Sequence, residues 1–202
     1  MKSALRKNQT ERRREIIDVV FALIGEEGIS ALTTKNIAAR LGLSNGAIFR
    51  HFASLEELLG AAALSAVEAL EATFPDDDES PKGRLFALAQ SRVKLLAEKP
   101  GMAWMLTSDQ AQIVLPSDAK AALKKVSQRS KRYLLKALRD AQAQGEIRED
   151  VEAACLLVIV TGVIHRLIGS AGIHGSARGA PSADGVLNAL ERMLKPSMNE
   201  AS

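Results

Sequence analysis

Aromatic residues are scarce in this chain of 202 residues, at 3% of positions against 47% hydrophobic overall. A core that is poor in rings must be filled by Leu, Ala, Ile and Val, a set that favours helices over strands. Cysteine is nearly absent as well. Cys155 alone excludes an intrachain disulfide and any CxxC metal motif, and its expected role is that of a small buried apolar residue. The three histidines, His51, His165 and His174, have no ligand-like spacing to one another or to Cys155. Ten residues along one helix put Cys155 and His165 on different faces, which disfavours a catalytic dyad. There is no glycine-rich phosphate loop followed by Lys-Ser or Lys-Thr. No catalytic residue, metal or cofactor is therefore expected. Long apolar runs are missing too. The longest, residues 153–164, contains Thr161 and Gly162, and it falls short of the roughly 20 residues that span a bilayer. It reads as a buried helix. Asp18 interrupts the first apolar stretch after the N-terminal charges, so neither a secretory signal nor a membrane partner is expected and the protein reads as cytoplasmic.

The formal charge of +3 does not by itself demand a polyanionic partner. Its distribution is more telling. Lys2, Arg6, Lys7, Arg12, Arg13 and Arg14 precede the first apolar helix against Glu11 alone, forming an N-terminal basic arm. Such an arm serves either as a solvated tail or as a contact to nucleic acid.

Ile16, Ile17, Val20 and Ile24 recur at helical spacing, and Gly28 stands where a left-handed cap closes a helix. Thr33 or Thr34 can cap a second, short helix that carries Ile37, Ala38 and Leu41 on one face and breaks at Gly42. A third helix is expected over residues 45–52, with Ile48 and Phe52 inward and Asn45, Gly46, Ala47, Arg50 and His51 on its exposed faces. Ser54 and Glu57 form a capping box for a fourth helix that ends at Pro75. After the acidic loop 76–79, Ser80-Pro81 opens a fifth, which Pro100-Gly101 closes. A short apolar element, residues 102–106, leads through an irregular stretch to a long helix over residues 117–144. Helices over 151–169 and 182–194 flank the glycine-rich loop 170–180. No internal repeat or strand alternation occurs. The fold class is all-α with about nine helices: a three-helix helix-turn-helix domain in residues 1–53, then a larger helical ligand-binding and dimerisation domain in residues 54–202.

Three short helices with a glycine-containing turn before the third make a helix-turn-helix unit, whose last helix can enter a major groove about 12 Å wide. Residues 28–59, G-I-S-A-L-T-T-K-N-I-A-A-R-L-G-L-S-N-G-A-I-F-R-H-F-A-S-L-E-E-L-L, resemble the DNA-binding domain of the TetR family of repressors. The glycines, the paired threonines, the Ile-Ala step and the aromatic-x-His-Phe ending all fall at the family's spacing. By that resemblance Thr33 and Thr34 hold a phosphate at a helix N-terminus, and Lys35 reaches a base or a phosphate. Arg50 suits guanine, Asn45 suits adenine, Ala47 offers only methyl contact beside the exposed Gly46, and His51 suits a phosphate contact or a local cap. Phe49 stands where the family usually has tyrosine, so a phenolic hydrogen bond is lost. Leu55 stands where it most often has lysine, so a cation near the DNA backbone is lost.

Beyond residue 59 the resemblance is one of helix number and order. It implies a homodimer on a double-stranded DNA operator, with a small and largely apolar effector. In the helix over 151–169, Cys155, Gly162 and Gly169 repeat every seven residues as a stripe of small side chains. That stripe suits either a close seam between subunits, shared with Leu187, Leu190 and Leu194 of the last helix, or packing within one subunit. Met102, Trp104, Met105, Thr161 and His165 combine adaptable apolar surface with a few polar groups and are the candidate effector contacts. The basic residues along 120–139 read as a solvated face. The function expected is a ligand-released repressor. Two alternatives stay open: a nucleoid-organising or cell-division factor of the same fold, which K-P-G-M-A-W-M-L-T-S at residues 99–108 resembles, and a helical ligand carrier that no longer binds DNA.

Overall fold

The computed structural model describes residues 9–75, 80–170 and 181–196. Lys2, Arg6, Lys7 and His174, the acidic loop 76–79 and residues 171–180 of the glycine-rich loop lie outside them. The described residues form ten α-helices and no strand: α1 (Gln9–Glu27), α2 (Thr34–Leu41), α3 (Asn45–Phe49), α4 (Leu55–Glu71), α5 (Pro81–Glu98), α6 (Pro100–Thr107), α7 (Asp109–Val114), α8 (Ser117–Ala143), α9 (Ala153–Ser170) and α10 (Ala183–Met193).

Helix ends fall where side chains can satisfy them. Thr33 accepts the Asn36 N–H at 3.1 Å, Ser54 accepts the Glu57 N–H at 3.0 Å, and Ser182 accepts the Gly185 N–H at 3.1 Å. Each removes an orphan donor from a first turn. Ser80 does the same for Gly83 at 3.1 Å, with Pro81 in the first helical position. Gly42 closes α2 at φ 64, and the Leu43 N–H reaches back to the Ala38 carbonyl at 2.9 Å. That six-to-one bond, with Gly42 donating to Ala39, is a Schellman closure.

The chain gathers into two compact units. The first draws on Met1–Val67 and Lys99–Leu123. Its core includes Ile16, Val20 and Ile24 of α1, Ile37 of α2, Ile48 of α3, Phe52, Leu58 of α4, and Met102 and Met105 of α6, each 1% exposed or less. Here α6 lies directly on α1. A methyl group on Gly101 would overlap the Phe21 carbonyl, and one on Gly25 would sit 2.7 Å from Pro100 Cγ. Lys99 closes the same contact by pairing with Asp18 at 3.2 Å.

The second unit draws on Glu68–Glu98 and Lys124–Ser202. There α5 packs on both α9 and α10, burying Leu85, Leu88, Val160, Ile164, Leu187, Leu190 and Leu194. Glu146 accepts the Lys82 N–H at 2.7 Å, and Gln142 donates to the Arg148 and Val151 carbonyls at 3.0 and 2.7 Å, fixing the turn that follows α8. On α8 itself Val126, Leu134 and Leu138 face inward, while Lys124, Lys125, Lys131, Arg132 and Arg139 are exposed, as the solvated-face reading requires.

Four expectations change. The irregular stretch before Pro116 contains α7, started by Ser108 accepting the Gln110 N–H at 3.2 Å. The third helix stops at Phe49, because Arg50 and His51 turn the chain toward α4. Ala47 is only 7% exposed: in so short a helix it shares the inward side with Ile48. Cys155 is exposed and not buried, since the segment read as a buried helix keeps one open face that also carries Val158 and Ile159.

Candidate nucleic-acid interface

The outward surface of the first three helices is set by what the core takes away. Ile48 and Phe52 are each 1% exposed, so α3 turns Asn45, Gly46, Phe49 and Arg50 to solvent. Phe49 is half exposed, at 50%, so its ring belongs to this outward surface and not to the core. On α2, Thr33 and Lys35 are exposed and Thr34 is half-buried. Thr33 Oγ1 already accepts the Asn36 N–H as the helix cap, which leaves its hydroxyl proton free to donate. Asn36 in turn donates to the Ala31 carbonyl at 2.8 Å, fixing the 3-10 turn Ile29–Ala31 that leads into α2.

The frame holding these helices is ionic at its edges. Arg40 of α2 pairs with Glu26 at 2.7 Å and with Glu27 at the end of α1, and these carboxylates raise its pKa. Arg13 of α1 has a larger part. Its guanidinium donates to the His51 carbonyl, lies 3.9 Å from the centre of the Phe52 ring, and pairs with Glu57 at 3.3 Å. Glu57 also accepts the Ala53 N–H at 2.7 Å, so one carboxylate both starts α4 and anchors α1. Sequence reasoning placed Arg13 in the basic arm and did not foresee this bracing, which joins positions far apart in the chain. Arg12 is held by Glu15 at 2.8 Å, while Arg14 is exposed.

His51 sits half-buried in the middle of this frame. Its pKa is lowered, first by burial and then by the cations Arg12, Arg13 and Arg50. Its Nδ1 is buried and finds no hydrogen-bond partner among the described residues. The imidazole is therefore neutral at pH 7. Arg12 and Arg13 are paired with Glu15 and Glu57, so the exposed cations Lys35 and Arg50 are the ones this surface offers to a phosphate backbone. Leu55, at the first position of α4, is half-buried and contributes no charge.

The other candidate residues divide between the units. Met102 and Met105 are buried in α6 and Trp104 is half-buried beside them. Thr161 and His165 belong to α9 in the second unit, where the Thr161 hydroxyl donates to the Leu157 carbonyl at 2.7 Å and His165 is exposed. Cys155, Gly162 and Gly169 lie along one exposed face of α9, together with Val158 and Ile159. Leu187, Leu190 and Leu194 are 2 to 4% exposed and turn into their own unit, whereas Met193 is 67% exposed. No cluster of His, Cys, Asp or Glu able to hold a metal ion occurs among the described residues, and no described helix is long and apolar enough to cross a membrane.

Two short helices, α2 and α3, held on the longer α1, with α3 and its end presenting polar and cationic side chains outward, have the helix-turn-helix arrangement of the DNA-binding class. Residues 16–62 match the family described as bacterial regulatory proteins, tetR family. The chain is 25% identical to the HTH-type transcriptional regulator UidR of Escherichia coli K12 over 187 residues, 92% of this chain and 94% of that one. It is 27% identical to the nucleoid occlusion factor SlmA of Marinobacter nauticus over 175 residues, 81% and 87% of the two chains. Among solved structures, AibR in complex with isovaleryl coenzyme A and operator DNA shares the fold with a TM-score of 0.73 at 18% identity, covering 91% of this chain and 97% of that one. Residues 16–62 are thus similar to the TetR family of helix-turn-helix regulators, and the chain has the fold of that family's DNA-binding transcriptional regulators.

Proposed function

We propose that this protein is a cytoplasmic, homodimeric, sequence-specific repressor whose grip on a double-stranded operator is released by a small, largely apolar effector. The observation that carries the reading is the division of the third helix: Ile48 and Phe52 are spent on the core, so Asn45, Gly46, Phe49 and Arg50 are left to meet a groove. Arg50 is assigned to a guanine, Asn45 to an adenine, and Gly46 to close approach. Ala47, mostly covered, supplies at most a methyl edge. Thr33, Thr34, Lys35 and His51 are assigned to phosphates, where they fix register without reading sequence. The likeness to UidR along nearly the whole chain supports a regulator. For the effector, Met102, Trp104 and Met105 of α6 are the proposed contacts; Thr161 and His165, in the other unit, are not assigned to that cluster. An effector acts by favouring one arrangement of the helices and so altering the separation of the two reading heads in the dimer.

A second reading has an observation of its own. SlmA is a nucleoid occlusion factor, and its likeness covers most of this chain. If this protein worked in that manner, DNA binding would position it for a protein partner. Genome-wide footprinting separates the two. A few occupied sites at promoters, lost when effector is supplied, are the expected result. Many dispersed sites would favour the organising role, and an absence of sites would overturn both in favour of a ligand carrier.

A further inference from the structure

Arg92 is half-buried in the second unit and has no carboxylate partner among the described residues. Its Nε donates to Thr73 Oγ1 and its Nη2 to Ser130 Oγ at 3.1 Å. Both hydroxyls have already spent their protons on their own helices, Thr73 on the Leu70 carbonyl at 2.6 Å and Ser130 on the Val126 carbonyl at 2.8 Å. The guanidinium thus meets only neutral dipoles. A guanidinium has five N–H donors, and two are used here. Burial pushes its pKa down to about 10, so it remains charged at neutral pH in a place that disfavours charge.

Its surroundings resemble the lining of a ligand site more than a capped helix end. Arg92 lies 5.2 Å from the centre of the Phe74 ring, and Arg129 of α8 lies 4.2 Å from it. The ring of Tyr133 meets Phe74 edge-on, with centroids 5.2 Å apart. Arg129 is neutralised by Glu71, with which it forms an ion pair. Arg92, Arg129 and Glu71 together therefore carry a net charge of +1 beside two aromatic rings. One monovalent oxyanion balances that charge, and an apolar body attached to it has the rings to lie against.

We infer that Arg92, Phe74, Arg129 and Tyr133 form a site in the second unit for the carboxylate of a small apolar acid. This site belongs to the second unit and is distinct from the proposed effector contacts Met102, Trp104 and Met105 of the first, so it does not rest on the effector reading. Thr73 and Ser130 hold the guanidinium in position, and its remaining N–H groups take the carboxylate in a charge-assisted bond.

The probes are octanoate, its neutral analogue octanamide, and octyl phosphate, titrated calorimetrically into the full chain without DNA. Octanoate should bind about tenfold more tightly than octanamide, the worth of one charged hydrogen bond. Arg92→Met should abolish that preference while circular dichroism shows the helices intact, and Arg92→Lys should keep part of it. Equal binding of octanoate and octanamide, or no binding of either, would overturn the site. Tighter binding of octyl phosphate than of octanoate would overturn the monoanion assignment. Octanoate binding that appears only when Asp76, Asp77 and Asp78 are changed to Asn and Glu79 to Gln would assign the cation to the chain's own carboxylates and sink the proposal. A separate titration of operator affinity tests whether this site regulates DNA binding: octanoate bound with no change in affinity leaves the site standing without a regulatory role.

Discussion

His51 reports the electrostatics of the whole reading head. Burial and three neighbouring cations lower its pKa, so above its ordinary value of about 6.5 both folded and unfolded chains hold it neutral. As pH falls through that value the unfolded chain takes up a proton first, and folding stability is lost over that interval. DNA reverses the sign. A phosphate near the ring offsets the cations and raises the pKa in the complex, so binding should take up part of a proton and tighten as pH falls from 7.5 to 6. Proton NMR titration of the free protein should place His51 below its ordinary value of about 6.5, and operator should move it upward. An unmoved titration would take His51 off the DNA.

The contacts at positions 50 and 55 separate base reading from backbone anchoring. Arg50→Ala should cost roughly 1 to 3 kcal/mol on the preferred operator and much less on scrambled duplex, because a bidentate base contact discriminates and a phosphate contact does not. Leu55→Lys restores a cation at the start of α4. It should tighten both duplexes and steepen the log-log salt slope by about 0.9. Titrations over a range of salt check both. Equal loss on the two duplexes for Arg50→Ala, with no change for Leu55→Lys, would displace the third and fourth helices from DNA.

Among elements, what was legible in the sequence was local. Thr33, Ser54, Ser80 and Ser182 start helices where they were expected to, and Gly42 adopts the left-handed conformation that closes one, whereas Gly28, at φ 83 and ψ 173, has a positive φ but an extended ψ. Each needs only a residue and its near neighbours. The helix α7 was missed because six residues, D-Q-A-Q-I-V, are too few to show a face. Long-range contacts left no trace in spacing, and neither the bracing by Arg13 nor the crossing of α1 with α6 could be read in advance. The crossing now gives a prediction. Gly101→Ala forces a methyl group into the Phe21 carbonyl, so it should destabilise folding by about 1 to 3 kcal/mol, as overpacking does. Gly46→Ala meets open space and should leave folding stability unchanged or raise it by up to about 1 kcal/mol. Urea denaturation of both variants checks the pair. Equal stability in the two would mean that α6 is free to slide on α1.

At the scale of the molecule, the exposed face of α9 is the feature a lone subunit does not account for. Val158 is 70% exposed and Ile159 46%, with Cys155, Gly162 and Gly169 on the same stripe, and Met193 of α10 is 67% exposed. Small residues in such a stripe let a second helix come close, and a two-fold partner brings the same stripe to meet it. Leu187, Leu190 and Leu194 are already spent inside the unit, so the proposed seam is drawn along α9 and Met193. Val158→Glu tests it. In a monomer the new carboxylate is solvated and harmless, but across a two-fold seam it is buried twice without a partner. The variant should sediment as a monomer and keep its helical content. Losing the second reading head should weaken specific operator binding by about 10²- to 10⁴-fold, the gain two linked contacts provide, and cut the salt slope to about half. Leu187→Ala should instead lower folding stability by about 2 to 5 kcal/mol through a cavity, without producing a folded monomer. A Val158→Glu protein that remains dimeric and binds operator with an unchanged salt slope would place the seam elsewhere.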